Sequence, residues 1–387
     1  MNLCFLLGSG ASIPAGYPSV TSLTEQVLSG EGFGEPYGVA SNDVSSKEMV
    51  KFLRWVKTVV DVRYAHEFGH ITNYEDIYFI ANQIREDLLD ELDNPALQPL
   101  IQKLIVEFLL MEARDSHKLK NQIEKLTTAA TEYIRSHIAK ALTVRPIKFE
   151  HLDFIVEAIQ DVGEKNIILM TLNHDTLIEV QLNAHNICFV DGFTKTHARK
   201  IRTWQPSSFV NAGQSVRLLK LHGGCNWYRF RPEKAAPWFE DYIGIPTSKA
   251  AIKDEQERRH CNLDPSPMFL IGTFNKLISY TDPVYLEIYH QAFLALRDAD
   301  VLIVIGYGFG DKGINKLVLD WIYRFQNRQL VVVDKHANTL WQYARGAISQ
   351  KRLELLETKR LILLQRDLNK HKLQWKEVIN ALDATPA

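Results

Sequence analysis

Six short runs of almost uninterrupted apolar residues set the tightest limit on how this chain can fold: Leu3–Leu7, Ile167–Thr171, Arg217–Leu221, Met268–Ile271, Val301–Ile305 and Leu330–Val333. Runs this short and this apolar read as strands buried on both faces, which is the pattern of a parallel sheet covered by helices. Most are followed by glycine or polar turns. Between the last two runs, Asp311–Phe325 carries Ile314, Leu317, Val318, Trp321, Ile322 and Phe325 at helical spacing, so the stretch reads strand–helix–strand. The expected fold class is α/β, with a Rossmann-like parallel sheet.

From about Glu31 to Phe149 the pattern changes. Met49–Val62, Tyr74–Leu92, Leu97–Met111 and Leu119–Leu142 read as amphipathic helices with scarcely a strand among them. The expected organisation is a first part of the Rossmann-like domain at 1–30, an inserted helical subdomain at 31–149, and the remainder of the Rossmann-like domain at 150–387. Within the last part, 231–267 holds the charged run Lys253–His260 and then Asp264-Pro265-Ser266-Pro267, and reads as a surface excursion or small module. Internal repeats and low-complexity tracts are absent from the sequence.

The 387 residues exceed one typical domain of about 100–200 and can bury a sizeable core. Forty-five basic against 46 acidic residues, net charge −1, remove bulk electrostatic attraction to nucleic acid or anionic membrane, so neither is an expected partner. No run reaches the roughly 18 apolar residues of a membrane span. The opening Met1–Leu7 has no basic segment and is too short for a signal peptide, so it reads as a buried strand. Cys4, Cys188, Cys225 and Cys261 form no C-x-x-C pair, which points away from a disulfide framework or a four-cysteine zinc site and toward a reducing cytoplasm.

Polar and glycine-rich segments follow several of the strands, where open α/β sheets place their ligands. Gly8-Ser9-Gly10-Ala11-Ser12 follows the first, and glycines there let backbone N–H groups approach a pyrophosphate near a helix start, with another helix nucleating at Ser19–Ser22. The spacing is not G-x-G-x-x-G, because Ile13 stands where the third glycine belongs, and this disfavours a standard dehydrogenase. Thr171-Leu172-Asn173-His174-Asp175 follows the second strand, and His222-Gly223-Gly224 the third. An amide such as Asn173 can position ribose hydroxyls, and an imidazole such as His222 can accept a proton near neutral pH. The same residues also read as an Asx turn or helix cap and as a structural histidine, and His174 and Asp191 carry less signal still. Gly306-Tyr307-Gly308-Phe309-Gly310-Asp311 and Asp334 stand at later strand ends. They suit the adenosine half of a dinucleotide, although Asp311 equally fits a helix cap and Asp334 a turn.

In this order, from Gly8 to about Asp334, the motifs resemble the sirtuin superfamily, and more specifically its bacterial sirtuin-like branch in antiphage defence proteins. The family's GAGAS turn matches Gly8, Ser9, Gly10, Ala11 and Ser12; its T-x-N-x-D matches Thr171, Asn173 and Asp175; its L-H-G matches Leu221-His222-Gly223; its G-[TY]-S-[LF] element looks like Gly306, Tyr307, Gly308 and Phe309. The resemblance implies a sheet of sirtuin type that binds NAD⁺ as substrate, with Asn173, His222 and Asp175 catalytic and the two glycine turns plus Asp334 holding the dinucleotide. Asn226 and Trp227, just past the histidine, would help close the pocket, though a tryptophan there also fits simple core packing.

Two departures separate the chain from sirtuin deacylases. The stretch from about Cys225 to Pro267 holds only Cys225, His260 and Cys261 where the deacylases carry a four-cysteine zinc module, so no zinc is expected. Ser12-Ile13-Pro14-Ala15-Gly16-Tyr17-Pro18 lacks the Asp and Arg of the deacylases' G-I-P-D-F-R loop. The defence branch shares both losses, and its members hydrolyse NAD⁺ to nicotinamide and ADP-ribose. The resemblance therefore implies an NAD⁺ hydrolase that depletes NAD⁺ on infection. It would be regulated by homo-oligomerisation or by a partner such as a HerA-type ATPase or a short Argonaute. A non-catalytic sensor of NAD or an NAD-derived nucleotide, and a zinc-free deacylase, are the alternatives.

Overall fold

The computed structural model describes residues 1–34, 44–65, 71–92, 95–112, 116–195, 200–210, 213, 215–236, 241–248, 251–254, 256–264, 266–272 and 283–384. Parts of the expected helical stretch 31–149 and of the expected excursion 231–267 therefore lie outside the described residues. The chain divides into two compact units, one of Met1–Tyr17, Leu142–Leu270 and Leu277–Ala387, the other of Pro18–Ala141 and Ile271–Lys276.

The first unit contains eleven described strands: β1 (Leu3–Leu7), β2 (Ile167–Thr171), β3 (Phe189–Val190), β4 (Ile201–Thr203), β5 (Val216–Lys220), β6 (Tyr228–Pro232), β7 (Tyr242–Pro246), β8 (His260–Asn262), β9 (Val301–Ile305), β10 (Gln329–Asp334) and β11 (Leu361–Gln365). Seven of them form one sheet in the order β11-β10-β9-β1-β2-β5-β3, and every pairing in it is parallel. The chain builds outward from β1 through β2, then returns to the other side of β1 with β9. The junction of β1 and β9 is thus the point where strand order reverses, and a crevice opens outside the carboxyl ends of strands at such a point. The fold is α/β with a Rossmann-like parallel sheet, as the apolar runs require.

Both faces of this sheet are covered. Phe5 points to one side and meets Phe154 and Trp375, from the helices Asp153–Val162 and Trp375–Asp383. Cys4, Leu6, Met170, Leu219, Val304 and Val332 point to the other, into a core shared with Ile288, Leu296, Leu317, Trp321 and Leu355 of the helices Pro283–Asp298, Lys312–Arg324 and Ile348–Glu357. Alternate side chains serve opposite cores, which is why these strands contain almost no polar residue.

One expectation needs correction. Met268–Ile271 is not a strand of the parallel sheet. Phe269 makes an isolated antiparallel bridge with Gly223, Met268 N–H donates to Trp227 O (2.7 Å) and Leu270 N–H donates to His222 O (2.9 Å), so the run is an apolar strap on the loop after β5. Within the expected excursion, β6, β7 and β8 join β4 in a four-stranded antiparallel sheet, β4-β7-β6-β8, packed around Ile201, Phe230 and Ala251. Asp254 organises its last turn, accepting from the N–H groups of Gln256 and Arg258 (both 2.9 Å), from Arg258 Nε (2.7 Å) and from His260 Nε2 (3.0 Å).

The second unit is helical, with Val20–Ser29, Ser46–Val60, Tyr74–Leu88, Gln98–Glu112 and the body of Ser116–Leu142. Its helix starts follow from the sequence. Ser19 accepts from Ser22 N–H, while Ser45 with Glu48 and Asn73 with Asp76 form capping boxes that satisfy otherwise orphaned N–H groups. No helix among the described residues is long and apolar enough to cross a membrane.

Candidate active site

The candidate residues gather at the carboxyl ends of β1, β2, β5 and β9. The turn after β1 is tied to the turn after β9 through the backbone: Gly8 N–H donates to Ile305 O and Gly10 N–H to Gly306 O, both at 2.9 Å. The glycines make this contact possible. A Cβ on Gly8 would lie 2.6 Å from Gly306 O, and one on Gly306, whose φ is +59°, would lie 2.4 Å from Ala11 N.

Most N–H groups of this glycine turn are engaged within the protein. Ala11 N–H donates to Gly8 O and Ser12 N–H to Ser9 O, so the N–H groups of Gly8, Gly10, Ala11 and Ser12 all serve internal carbonyls. Exposed Ser9 is the residue whose N–H takes no part in these bonds. The turn continues into two short 3₁₀ turns, Ser9–Ala11 and Ile13–Ala15, and no α-helix begins in the chain between it and Val20. Gly308 and Gly310 behave differently from Gly8 and Gly306. They are exposed, and a Cβ on either would meet nothing within 4 Å, so neither internal packing nor backbone strain accounts for a glycine there.

Asn173 stands at the tip of β2 and donates both amide hydrogens inward, from Nδ2 to Gly8 O and to Ser12 Oγ, each at 2.9 Å. Its Oδ1 takes no part in these bonds. Ser12 is buried and donates in turn to Asp175 Oδ2 (2.7 Å), while Asp175 Oδ1 accepts from Leu177 N–H (2.9 Å) at the start of the helix Leu177–Ala184. Asp175 is itself buried, so it positions Ser12 and, through it, Asn173. The link from Gly8 to Asp175 fixes the Asn173 amide with its Oδ1 outside these bonds.

Three groups that the motifs did not single out brace this link. His151 Nε2 meets Ala11 O at 2.8 Å, and burial, opposed by that carbonyl, lowers the proton affinity of the ring, so it stands neutral as a donor. Lys220, the last residue of β5, is buried and donates to Glu179 Oε1 (2.9 Å) and to the carbonyl of Asp175. Burial pushes the Lys220 ammonium down, but Glu179 and its neighbours outweigh this and hold it above its ordinary value; burial pushes the Glu179 carboxyl up. Burial also raises the Cys225 thiol to about 11 against the pull of Lys220, which leaves no thiolate nucleophile at neutral pH.

His222 lies two residues past the end of β5, and its side chain is 4% exposed with Nε2 3.2 Å from Asp311 Oδ2. Asp311 also caps the helix Lys312–Arg324, its Oδ1 accepting from Gly313 N–H (2.8 Å) and Ile314 N–H (3.2 Å). The cap reading of Asp311 thus holds, together with a role beside His222 that its position in the sequence did not reveal. His174 packs on Phe269 with ring centres 4.6 Å apart and lies 6.3 Å from His222.

Other candidates have mainly structural parts. Phe309 is fully buried, stacks on Trp341 at 4.9 Å and has φ +54°, a left-handed conformation held by hydrogen bonds to its carbonyl from Asn315 Nδ2 and Arg345 N–H. It shapes the loop rather than presenting its ring. The Tyr307 hydroxyl accepts from Asp311 N–H (3.0 Å) and meets Asn315 Oδ1 (2.9 Å); burial and then the Asp311 charge hold the phenol well above its usual range, so it remains a donor. Asp334 begins a turn by accepting from His336 N–H (2.6 Å), and Gly306 N–H donates to neighbouring Val333 O, which sets Asp334 beside the glycine loop. Asp191 is engaged bidentately by Arg202. Trp227 does not close a pocket: it is buried in the core against Phe193 and Trp204. Its neighbour Asn226 carries a buried Oδ1 with no hydrogen-bond partner among the described residues.

The fold and this cluster define a Rossmann-like α/β protein whose polar groups converge outside the ends of parallel strands. No family profile and no curated relative matches the chain. Among solved structures, a Sir2 homologue mutant with ADP ribose aligns with 99% of this chain and 92% of its own length at 11% identity and a TM-score of 0.35. A Sir2 complex with p53 peptide and NAD⁺ aligns over 92% and 93% at 13% identity and 0.30, and Sir2 bound to acetylated peptide over 98% and 92% at 11% and 0.33. The fold class rests on the strand order and register above rather than on these alignments.

Proposed function

We propose that this protein is an NAD⁺ glycohydrolase that cleaves the bond between nicotinamide and ribose. The observation that carries the reading is the tethering of Asn173: both of its donors are spent on Gly8 and Ser12, so its Oδ1 is a fixed acceptor beside the junction of β1 and β9. Cleaving an N-glycosidic bond develops oxocarbenium character on the ribose. An acceptor that orients a ribose hydroxyl or the attacking water, next to an imidazole that takes the water's proton, meets that need.

In this reading the nicotinamide ribose faces Asn173 and His222, and Asp175 positions Asn173 through Ser12. The diphosphate lies against Gly8–Ser12 and engages Ser9, while the adenosine half lies along Gly306–Phe309, at exposed Gly308, and toward Asp334. Asn226 Oδ1, buried and without a hydrogen-bond partner among the described residues four positions past His222, is a further candidate acceptor. Water adds to the anomeric carbon, the electrons of the broken C–N bond return to the nicotinamide ring nitrogen, and the water's proton passes to the base. The reaction needs no zinc. On the motif resemblance, the setting we propose is cytoplasmic antiphage defence by NAD⁺ depletion, controlled by homo-oligomerisation or by a HerA-type ATPase or short Argonaute partner.

The test is release of free nicotinamide from NAD⁺ by the purified chain, with and without an acylated peptide. A hydrolase releases it without peptide, and Asn173→Ala and His222→Ala each abolish release. Release only with peptide would make the protein a deacylase; NAD⁺ binding without any release would make it a sensor.

A further inference from the structure

We infer that Asp311 is the positioning partner of His222: a carboxylate anchored by a helix N-terminus that holds the imidazole proton on Nε2 and makes Nδ1 the basic nitrogen. The inference deepens the hydrolase reading and rests on it for its kinetic consequence alone.

The geometry of Asp311 divides its two oxygens between two tasks. Oδ1 caps the helix Lys312–Arg324 through Gly313 and Ile314, and Oδ2 faces His222 Nε2 at 3.2 Å. A cap alone does not call for aspartate, since asparagine or serine caps a helix about as well. The second oxygen is what needs a carboxylate. Its backbone is fixed as firmly as its side chain: Asp311 N–H donates to the Tyr307 hydroxyl, which meets Asn315 Oδ1, and Asn315 Nδ2 donates onward to the carbonyls of Phe309 and Arg345. From the other side, Leu270 N–H donates to the His222 carbonyl and holds the backbone after β5. The Asp311 side chain cannot turn away without breaking its cap bonds, and the His222 backbone is held in place, with the ring and the carboxylate within ion-pair range.

An ionised carboxylate only accepts hydrogen bonds, so the ring nitrogen facing it must carry the proton. The neutral imidazole then has its lone pair on Nδ1. During cleavage the water proton passes to Nδ1, and the resulting imidazolium keeps Asp311 against Nε2–H, the same division of labour by which a buried aspartate orients a catalytic histidine in hydrolases. Water is the only co-reactant, and the carboxylate stays ionised throughout.

The experiment joins two readouts. In the wild-type chain labelled with ¹⁵N-histidine, with the His222 signals assigned by difference from His222→Ala, the expected pattern at neutral pH is a protonated Nε2 and an unprotonated Nδ1. Asp311→Asn keeps a good helix cap but turns the facing oxygen into an amide that can donate to Nε2, which drives the proton to Nδ1. That variant is expected to keep the wild-type unfolding temperature and KM within about threefold while kcat for nicotinamide release falls roughly 10²–10⁴-fold. A proton found on Nδ1 in the wild type, or an Asp311→Asn kcat within about twofold of wild type, overturns the inference. If the wild type releases no nicotinamide, the hydrolase reading fails while the tautomer still decides the pairing.

Discussion

Removing one hydroxyl, in Ser12→Ala, cuts the link between Asn173 and Asp175 at its middle. The buried Asp175 carboxylate loses a 2.7 Å hydrogen bond to Oδ2, and a bond to a charged group contributes about 1.5–3 kcal/mol. Half-buried Asn173 loses one of two bonds, worth about 0.5–1.5 kcal/mol, part of which water can restore. The sum is a destabilisation of about 2–4 kcal/mol. At roughly 2–4 °C per kcal/mol for a domain of about 150–250 residues, the unfolding temperature falls by at least about 4 °C in calorimetry. Held afterwards only by Gly8, Asn173 loses its fixed orientation, and kcat for nicotinamide release falls about ten- to a hundredfold. If Ser12 were instead a direct ligand contact, KM would rise while the unfolding temperature stayed within about 1 °C, and that result would refute the link.

Two glycines of one loop are expected to respond in opposite ways. Gly306→Ala forces a Cβ to within 2.4 Å of Ala11 N at a left-handed φ, and it should cost more than about 3 kcal/mol, read as loss of the cooperative thermal transition or a fall of more than about 6 °C. Gly308→Ala meets nothing within 4 Å and should keep the wild-type unfolding temperature while raising KM for NAD⁺; an unchanged KM would remove the dinucleotide from that loop. Lys220→Met leaves Glu179 buried without its cation, and denaturant titration should show a loss of about 3–5 kcal/mol; a loss below about 1 would contradict the pairing. His151 has a lowered folded-state proton affinity through burial, so the folded state binds fewer protons than the unfolded state below the ordinary histidine value of about 6.5. Its contribution is complete above that value and is lost as pH falls below it. His151→Gln should therefore flatten the decline in unfolding temperature on acidification from about pH 7, and an unaltered slope would mean that His151 is not buried as a neutral donor.

The parallel sheet was legible because double burial leaves a plain signature: β1, β2 and β9 match the apolar runs residue for residue, and β5 and β10 differ by a residue at their ends. Met268–Ile271 carried the same signature for another reason. Its apolar side chains cover the loop after β5, with Phe269 on His174, and periodicity cannot separate a strap from a strand. The small antiparallel sheet was legible only as a possible module, not strand by strand, because its strands are short and its order comes from Asp254 gathering four donors in space. β11 went unread although Leu361-Ile362-Leu363-Leu364 is apolar, and it pairs in parallel with β10.

The site followed the same division. Strand tips placed Asn173, Asp175 and His222 because their positions are local to the strands. What each side chain does depends on partners far away in the chain: Ser12 and Asp175 are 163 residues apart, and His151 reaches Ala11 across 140. The glycines after β1 were legible as a place of close approach but not as to what approaches, which is the backbone of Gly306 and Tyr307. A lysine closing the buried end of β5, Lys220, was the available hint of the buried pair with Glu179.

The most direct measurement is a crystal structure of the protein soaked with a non-hydrolysable NAD⁺ analogue. The predicted result places the anomeric carbon of the nicotinamide ribose beside Asn173 Oδ1 and His222, close enough for a water at about 3–3.5 Å to attack it. A bound dinucleotide whose nicotinamide ribose lies away from both side chains would contradict the account.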